Sequence, residues 1–443
     1  MSRKYFGTDG IRGTVGEEPL TAEFALRLAS AAARVLSPHG GTVVIGKDTR
    51  VSGYMFESAL EAGFVAAGMD VMLLGPVPTP GIAYLTRSLG ADLGVVISAS
   101  HNQYQDNGIK FFDRHGRKLS DEIEAKIEAS LLEPAITRPS ESLGRASRVD
   151  TARNQYQWFA MSSVPQDMRL EGMKIALDCS NGAAYKVAPR ALADLGADVI
   201  PIGCSPNGKN INADCGSTHP ELLQATVTGT GADLGIALDG DGDRLLMVDH
   251  EGNLLDGDQL LFILANARHK EGTLAGPIVG TLMSNLGLEK ALGDLGIEFM
   301  RAKVGDRYVL ELLQEHGGML GGETSGHLIC LDKTTTGDGL ISALQVLTVI
   351  RQSGRKLADL AAEMPKFPQT LVNVRVTGKA DLNSRPVQAS VQSVERQLGD
   401  RGRVVLRASG TEPVVRVMVE GEDALQVETL AGQIAEAVGA AAA

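Results

Sequence analysis

Three aspartates at alternate positions, Asp239, Asp241 and Asp243, stand in the glycine-rich stretch Asp239-Gly240-Asp241-Gly242-Asp243-Arg244. Carboxylates this close repel one another, and a glycine-rich loop can turn all three onto one hard, oxygen-loving cation such as Mg²⁺. A calcium loop of the EF-hand kind does not fit, because the sixth position is Arg244 where glycine is needed and the twelfth is His250 rather than glutamate. Upstream, the apolar run from Ala91 ends in Ser100, His101 and Asn102, which reads as a buried strand with a polar tip. Asn107-Gly108 predicts a tight turn into a second strand over 109–112, bringing Lys110 back near Ser100. The plainer alternative is a serine that caps a strand end and a solvated lysine.

What Ser100 would do depends on its surroundings. A serine hydrolase is one candidate, yet there is no G-x-S-x-G elbow, and His101, the next residue of an extended strand, should point away from Ser100. A phosphorylated Ser100, its charge offset by a magnesium ion with Lys110 and Arg244 nearby, fits better. Three further stretches offer polar groups. RASGTEPVVR, 407–416, flanks small residues with Arg407 and Arg416 and reads as a phosphate grip or as a plain hairpin. GETSGH, 322–327, sets Glu323, Ser325 and His327 at alternate positions on a strand tip, for sugar hydroxyls or proton shuttling, with a structural turn as the alternative. Arg12, Lys47 and Arg50, in GTDGIRG and GKDTRVSG, are candidates for the positive pocket that an anionic substrate needs in a chain of net charge −12.

The elements that must position these residues repeat. ADLGVVISAS from Ala91 aligns with ADLGIALDGD from Ala232, which sets Ser100 opposite Asp241. Upstream of each copy lie a strand with a polar tip (TVVIGKDTR from Thr42, KIALDCSNG from Lys174), a helix, a glycine turn and a further strand. A third, diverged copy reads PIVGTLMSN from Pro277, GIEFMRAKVGDR from Gly296 and GMLGGETSGH from Gly318. Strands alternating with helices predict α/β units with mostly parallel, helix-covered sheets whose ligands bind at the carboxyl ends of the strands. The first copy ends in an amphipathic helix over 121–132 and a linker over 134–148. After Pro365 and Pro368 the pattern changes to strand, helix, hairpin and final helix, a smaller α+β unit. The expected division is 1–149, 150–255, 256–366 and 367–443.

Composition narrows the partners. With 43% hydrophobic and 22% charged residues the chain reads as globular, and MSRKYFGTDG lacks the apolar core of a signal peptide. No segment is long and apolar enough to span a membrane. Cys179, Cys204, Cys215 and Cys330 lack metal-ligand spacing, which favours reduced thiols in a cytoplasmic protein. The acidic balance argues against nucleic acid as the main partner.

Taken together and in this order, KYFGTDGIRG, SASHN, DGDGDR, GETSGH, KTTTGDG and RASGTEP resemble the α-D-phosphohexomutase superfamily over essentially the whole chain, with FGTDGIRG and KTTTGDG closest to its glucosamine branch. The resemblance implies four domains around a central cleft: three mostly parallel α/β repeats and a smaller C-terminal α+β domain. It implies a phosphoserine at Ser100, with Asp239, Asp241 and Asp243 holding Mg²⁺ together with the serine phosphate. Arg12, Lys110 and Arg244 match positions near that phosphoserine, and Lys110 and His101 are its candidates for proton transfer, with His327 a further one. Glu323 and Ser325 match a sugar-hydroxyl loop, and Arg407, Ser409, Gly410, Thr411 and Arg416 a distal phosphate loop. The implied reaction interconverts glucosamine 6-phosphate and glucosamine 1-phosphate through glucosamine 1,6-bisphosphate, feeding amino-sugar and cell-wall precursors, with sugar phosphates as partners and a homodimer left open. Glucose- or mannose-phosphate mutases, and a metal-dependent phosphatase or sugar-phosphate binder, are the rival readings.

Overall fold

The computed structural model describes residues 4–376, 381–408 and 414–442, and its four sheets follow the chain in order. In the first unit Gly41–Lys47 is flanked on one side by Met69–Pro76 and on the other by Leu93–Ile97, all parallel. Asp106–Asp113 then returns antiparallel to Leu93–Ile97. The second unit repeats this arrangement: Lys174–Asp178 lies between Asp198–Ile202 and Leu234–Leu238, and Leu245–Asp249 returns antiparallel. In the third, Ile278–Thr281 lies between Phe299–Ala302 and Leu320–Gly322, and Leu328–Cys330 returns. The C-terminal sheet, Gln369–Arg375, Val414–Gly421 and Gly402–Ala408, is wholly antiparallel. Three mixed, mostly parallel α/β units and one α+β unit are therefore present.

The local sequence explains these choices. Leu93–Ile97 (LGVVI) and Leu234–Leu238 (LGIAL) are buried at every position, as strands covered on both faces must be. Helix starts are capped by side chains: Thr21 accepts from the Phe24 amide ahead of Ala22–Leu36, and Asp256 and Gln259 form a capping box at Gly257–Lys270. One continuous apolar core joins the first three units, running through Ile82, Tyr156, Leu177, Leu238, Leu245, Leu344 and Leu347. Each such aliphatic side chain, fully buried, contributes ~1.5–3 kcal/mol. The C-terminal unit has its own core of Val387, Val394, Val417, Val419, Ile434 and Val438. Among the described residues no helix is long and apolar enough to cross a membrane.

Two expectations fail here. Asn107-Gly108 is not a turn but lies inside Asp106–Asp113, where Gly108 and Asn107 pair with Arg12 and Gly13 of the N-terminal strand Ile11–Thr14. A partner strand nearly a hundred residues away overrides the local turn signal. The stretch 134–148 is not wholly a linker either, since Ala146–Arg148 adds a parallel edge strand beside Met69–Pro76.

Asp338, from the KTTTGDG stretch, is buried where the units meet. Its carboxylate caps Gly339–Ser353 by accepting from the Ile341 amide, and both oxygens accept from the Tyr156 hydroxyl at 2.9 Å. Burial pushes this carboxyl up to about 7, against the hydrogen bonds that favour its charge. A raised folded-state value contributes stability that is complete below about pH 4 and is lost as pH rises through 7. Asp338→Asn keeps the cap and removes the titration, so the variant should gain ~2–4 kcal/mol on the parent between pH 4.5 and pH 8. Urea midpoints at the two pH values check this, and an unchanged difference would contradict it.

Candidate active site

The same hairpin turn of each α/β unit carries one of the motifs. The turn between Leu93–Ile97 and Asp106–Asp113 holds Ser100. Its counterpart between Leu234–Leu238 and Leu245–Asp249 holds the three aspartates, and that between Leu320–Gly322 and Leu328–Cys330 holds Glu323 to His327. The first two meet where Ser100 Oγ donates to Asp239 Oδ2 at 2.7 Å. The third arrives with His327 Nδ1, 3.6 Å from Asp243 Oδ2.

Ser100 lies three residues beyond its strand, in the left-handed backbone region at φ +52°, rather than at the strand's end. That conformation is costly for a residue with a Cβ and persists only where neighbours impose it. Here the Arg50 guanidinium and the Asn212 amide donate to the Ser100 carbonyl at 3.2 and 2.8 Å and also hold the Asn102 carbonyl. Gly240 completes the fit, since a Cβ on it would come within 2.6 Å of the Ser100 carbonyl oxygen. The left-handed turn ends strand alternation. His101 therefore does not point away from Ser100 as expected; its Nδ1 lies 3.2 Å from Ser100 Oγ. Burial, then the charges of Arg244 and Arg12, lower the His101 imidazole to about 4.

The three carboxylates are buried, and one oxygen of each lies within 4.8 Å of the others. Asp241 Oδ1 and Asp243 Oδ1 have no hydrogen-bond partner among the described residues. Burial, then the charges of Asp243 and Asp241, push Asp239 well above the usual carboxylate range. Against its own burial, Asp241 is held below that range by Lys110 at 3.0 Å and by the Thr79 hydroxyl at 2.7 Å. Unpaired, mutually repelling carboxylate oxygens on one buried loop fit a hard divalent cation.

Around this cluster runs a ring of alternating charge. Lys110, pushed upward despite burial by Asp241 and Asp9, bridges these two carboxylates at 3.0 and 2.9 Å. Asp9 also pairs with Arg12 and Lys118, and Lys118 pairs with Asp306 of the third unit. Asp306 Oδ2 lies 3.4 Å from His327 Nε2. Burial opposes protonation of His327, but Asp243 and Asp306 raise it to about 9. Asp9, Thr79, Lys118 and Asp306 were not identified from the sequence. Asp9 stands inside FGTDGIRG and Asp306 inside VGDR, and that clustering with glycine and arginine was the available signal.

The other expected residues divide. Arg12 and Lys110 border the cluster, and the Arg244 amide donates to Asp239 Oδ1 at 3.2 Å. Lys47 and Arg50 do not supply a positive pocket: each is buried in an ion pair, Lys47 with Glu57 and Arg50 with Asp48. Glu323, Ser325 and His327 occupy a hairpin turn rather than alternate strand positions, so Ser325 is exposed while His327 is buried and Glu323 accepts from the Gly305 amide at 3.0 Å. Arg407 and Arg416 are direct cross-strand partners, one pair short of the end where residues 409–413 connect the two strands. Ser409, Gly410 and Thr411 lie outside the described residues.

Comparison with known proteins agrees over the whole chain. Models of the phosphoglucomutase/phosphomannomutase family match in order: alpha/beta/alpha domain I over residues 3–135, domain II over 157–252, domain III over 256–367 and the C-terminal domain over 371–437. The chain is 58% identical over 440 residues to a phosphoglucosamine mutase of Alkalilimnicola ehrlichii, spanning 99% of this chain and 98% of that one. It is 58% identical over 441 residues to one from Methylococcus capsulatus, spanning 99% of both. Among solved structures, a phosphoglucomutase/phosphomannomutase family protein from Burkholderia thailandensis matches with TM-score 0.82 at 25% identity, over 100% of this chain and 98% of that one. Aspergillus fumigatus N-acetylphosphoglucosamine mutase matches in fold, with TM-score 0.71 at 18% identity over 100% and 96%.

The unpaired carboxylates lead to a direct test. Chelator-stripped protein given Mg²⁺ or Mn²⁺ at ~100 times its Kd should be stabilised by ~2.7 kcal/mol, seen as a rise in thermal midpoint. Asp241→Asn should lose most of that rise. An equal shift in both proteins would remove Asp241 from the cation site.

Proposed function

The chain belongs to the phosphoglucomutase/phosphomannomutase family, enzymes of hexose-phosphate interconversion, and we propose that it interconverts glucosamine 6-phosphate and glucosamine 1-phosphate. Relatives named phosphoglucosamine mutase, 57–58% identical over nearly the whole chain, support the amino sugar as substrate. The observation that carries the mechanism is the Ser100 Oγ to Asp239 Oδ2 hydrogen bond at 2.7 Å. A hydrolytic serine needs its carboxylate behind a histidine; here the serine donates directly to one of three clustered carboxylates, which suits a serine that carries phosphate beside a bound cation.

In this reading Ser100 is a phosphoserine, and Asp239, Asp241 and Asp243 hold Mg²⁺. When bound, the ion offsets the charge of the transferring phosphoryl group. The Ser100 O–P bond breaks as the sugar's C1 hydroxyl oxygen bonds to phosphorus. The hydroxyl proton passes to the neutral His101 imidazole, and Lys110, held protonated between Asp241 and Asp9, is the acid that gives a proton to the departing Ser100 oxygen. Glucosamine 1,6-bisphosphate results. Turned around, it returns its 6-phosphoryl group to Ser100: the Ser100 hydroxyl gives up its proton as its oxygen bonds to phosphorus, the O6–P bond breaks and O6 takes up a proton, leaving the 1-phosphate. Arg12 and Arg244 supply positive charge beside the phosphoryl group. Glu323, Ser325 and His327 bind sugar hydroxyls, and Arg407, Ser409, Gly410, Thr411 and Arg416 hold the phosphate that is not reacting. Two arginines directly opposite one another support that last role, since burial and the Arg416 charge both disfavour the charged Arg407 and an anion between them reverses this. Division at 149/150, 255/256 and 366/367 and a cytoplasmic setting, serving amino-sugar and cell-wall precursor synthesis, belong to the same proposal.

Turnover of glucosamine, glucose and mannose 6-phosphates with a trace of the matching bisphosphate, together with peptide mass spectrometry, tests it. Glucosamine phosphate should be turned over fastest, Ser100 should carry phosphate in active protein, and Ser100→Ala should lose at least ~1,000-fold in kcat, the scale of removing a group central to transition-state stabilisation. Normal turnover by Ser100→Ala, or free phosphate as the main product, would overturn the reading.

A further inference from the structure

Two residues of the C-terminal unit reach across to one turn of the third unit, residues 281–286. The Arg403 guanidinium donates to the carbonyls of Leu282 and Ser284 at 2.9 and 2.5 Å, and its Nε donates to Glu420 at 2.7 Å. Glu420 is fully buried and accepts from the Leu286 amide at 2.8 Å. The connecting segment joins in: the Asn285 side chain donates to the Phe367 carbonyl and accepts from the Phe367 amide, both at 3.0 Å. The turn is also held within its own unit, where Arg301 donates to the Thr281 and Ser284 carbonyls at 3.0 and 2.7 Å, so the C-terminal unit shares in fixing its position.

The other face of the turn is tied to the 323–327 loop. Asp258, fully buried in the first turn of Gly257–Lys270, accepts on a single oxygen, Oδ2, from the Asn285 amide at 2.9 Å and from the Thr324 hydroxyl at 2.7 Å. Its other oxygen, also buried, has no hydrogen-bond partner among the described residues. Under such cover the hydrogen bonds that Oδ2 accepts are costly to lose. The helix start and the loop also touch directly, since a Cβ on Gly257 would come within 2.0 Å of the Glu323 carbonyl oxygen. Thr324 sits between Glu323 and Ser325, so whatever fixes its hydroxyl fixes them.

We infer that Asp258 is a positioning residue that links the seating of the C-terminal unit to the sugar-hydroxyl loop, through Arg403 and Glu420 on one side and Thr324 on the other. The link rests on the proposed roles of the 323–327 loop and of the Arg407 and Arg416 hairpin. Its consequence is that the grip on the distal phosphate and the grip on the ring hydroxyls form one unit. A substrate phosphate that seats the C-terminal unit correctly also brings Glu323 and Ser325 to their working positions.

The test is a double-mutant cycle in the full chain on the Kd for glucosamine 6-phosphate, measured by calorimetry and so independent of turnover. Glu420→Gln and Thr324→Val have different hydrogen-bond partners, so without a link their effects on Kd multiply. With the link, each weakens binding and the double variant binds at least ~5-fold more tightly than the product of the single effects requires, the lower end of ordinary coupling between sites. Asp258→Asn should remove that excess, while losses in thermal midpoint should still add. Should Glu420→Gln not fold, Arg403→Lys takes its place in the cycle. Multiplying effects on Kd, or an excess that survives in Asp258→Asn, would overturn the link. A parent protein that binds glucosamine 6-phosphate without turning it over would instead overturn the mutase reading and leave the cycle readable.

Discussion

Mutual repulsion of Asp239, Asp241 and Asp243 is the constraint that the rest of the molecule meets. Three carboxylates with oxygens inside 4.8 Å and almost no exposure repel by ~4 kcal/mol per pair at an effective dielectric constant of about 20. Arg244 of the same loop offsets part of this, and the other offsetting groups come from the neighbouring units. Lys110 and Thr79 come from the first unit and His327 from the third, and the aspartates themselves lie in the second. The site therefore exists only when the three units are assembled. The continuous apolar core that joins them maintains that assembly, for the positions of the charges are as accurate as the packing beneath them.

One supersecondary unit supplies all three chemistries. In each repeat the antiparallel return after the third parallel strand leaves a hairpin turn at the carboxyl end of the sheet, free of the ladder and open to variation. The first copy places a serine there, the second a carboxylate cluster, the third a glutamate and a histidine. Because the scaffold is common, the three turns arrive at one place by the same geometry, and the side chains alone differ.

This common plan was legible in the sequence because repeats and buried strands are local patterns. The ADLG repeats identified the strands, and DGDGDR declared its chemistry through like charges that no fold would gather without cause. The ring of Asp9, Lys118 and Asp306 was hidden because its ion pairs join residues up to 188 positions apart, and each alone looks like an ordinary surface charge. Ser100 and His101 failed for the opposite reason. Alternation along a strand was applied beyond the strand's end, where Arg50 and Asn212 force a left-handed turn that no local rule for serine predicts. Lys47 and Arg50 misled because a basic residue beside glycine suggests a ligand, whereas both neutralise buried carboxylates within the frame.

The C-terminal unit is joined to the rest in another manner. Its core is separate, and its contacts with the third unit described above are polar: an arginine on two carbonyls, a glutamate on one amide, and the third unit's Asn285 on the connecting segment at Phe367. An apolar junction that parts leaves apolar surface in water, at about 25 cal/mol for every Å². Hydrogen bonds that part exchange protein partners for water, at a net cost of only ~0.5–1.5 kcal/mol each. A polar junction thus permits adjustment that the shared core of the first three units forbids. The charged cluster must not move, and it lies among the units with the common core. Arg407 and Arg416, proposed to grip the far end of a ligand that has to turn around, lie on the one unit whose attachment can loosen without exposing a core.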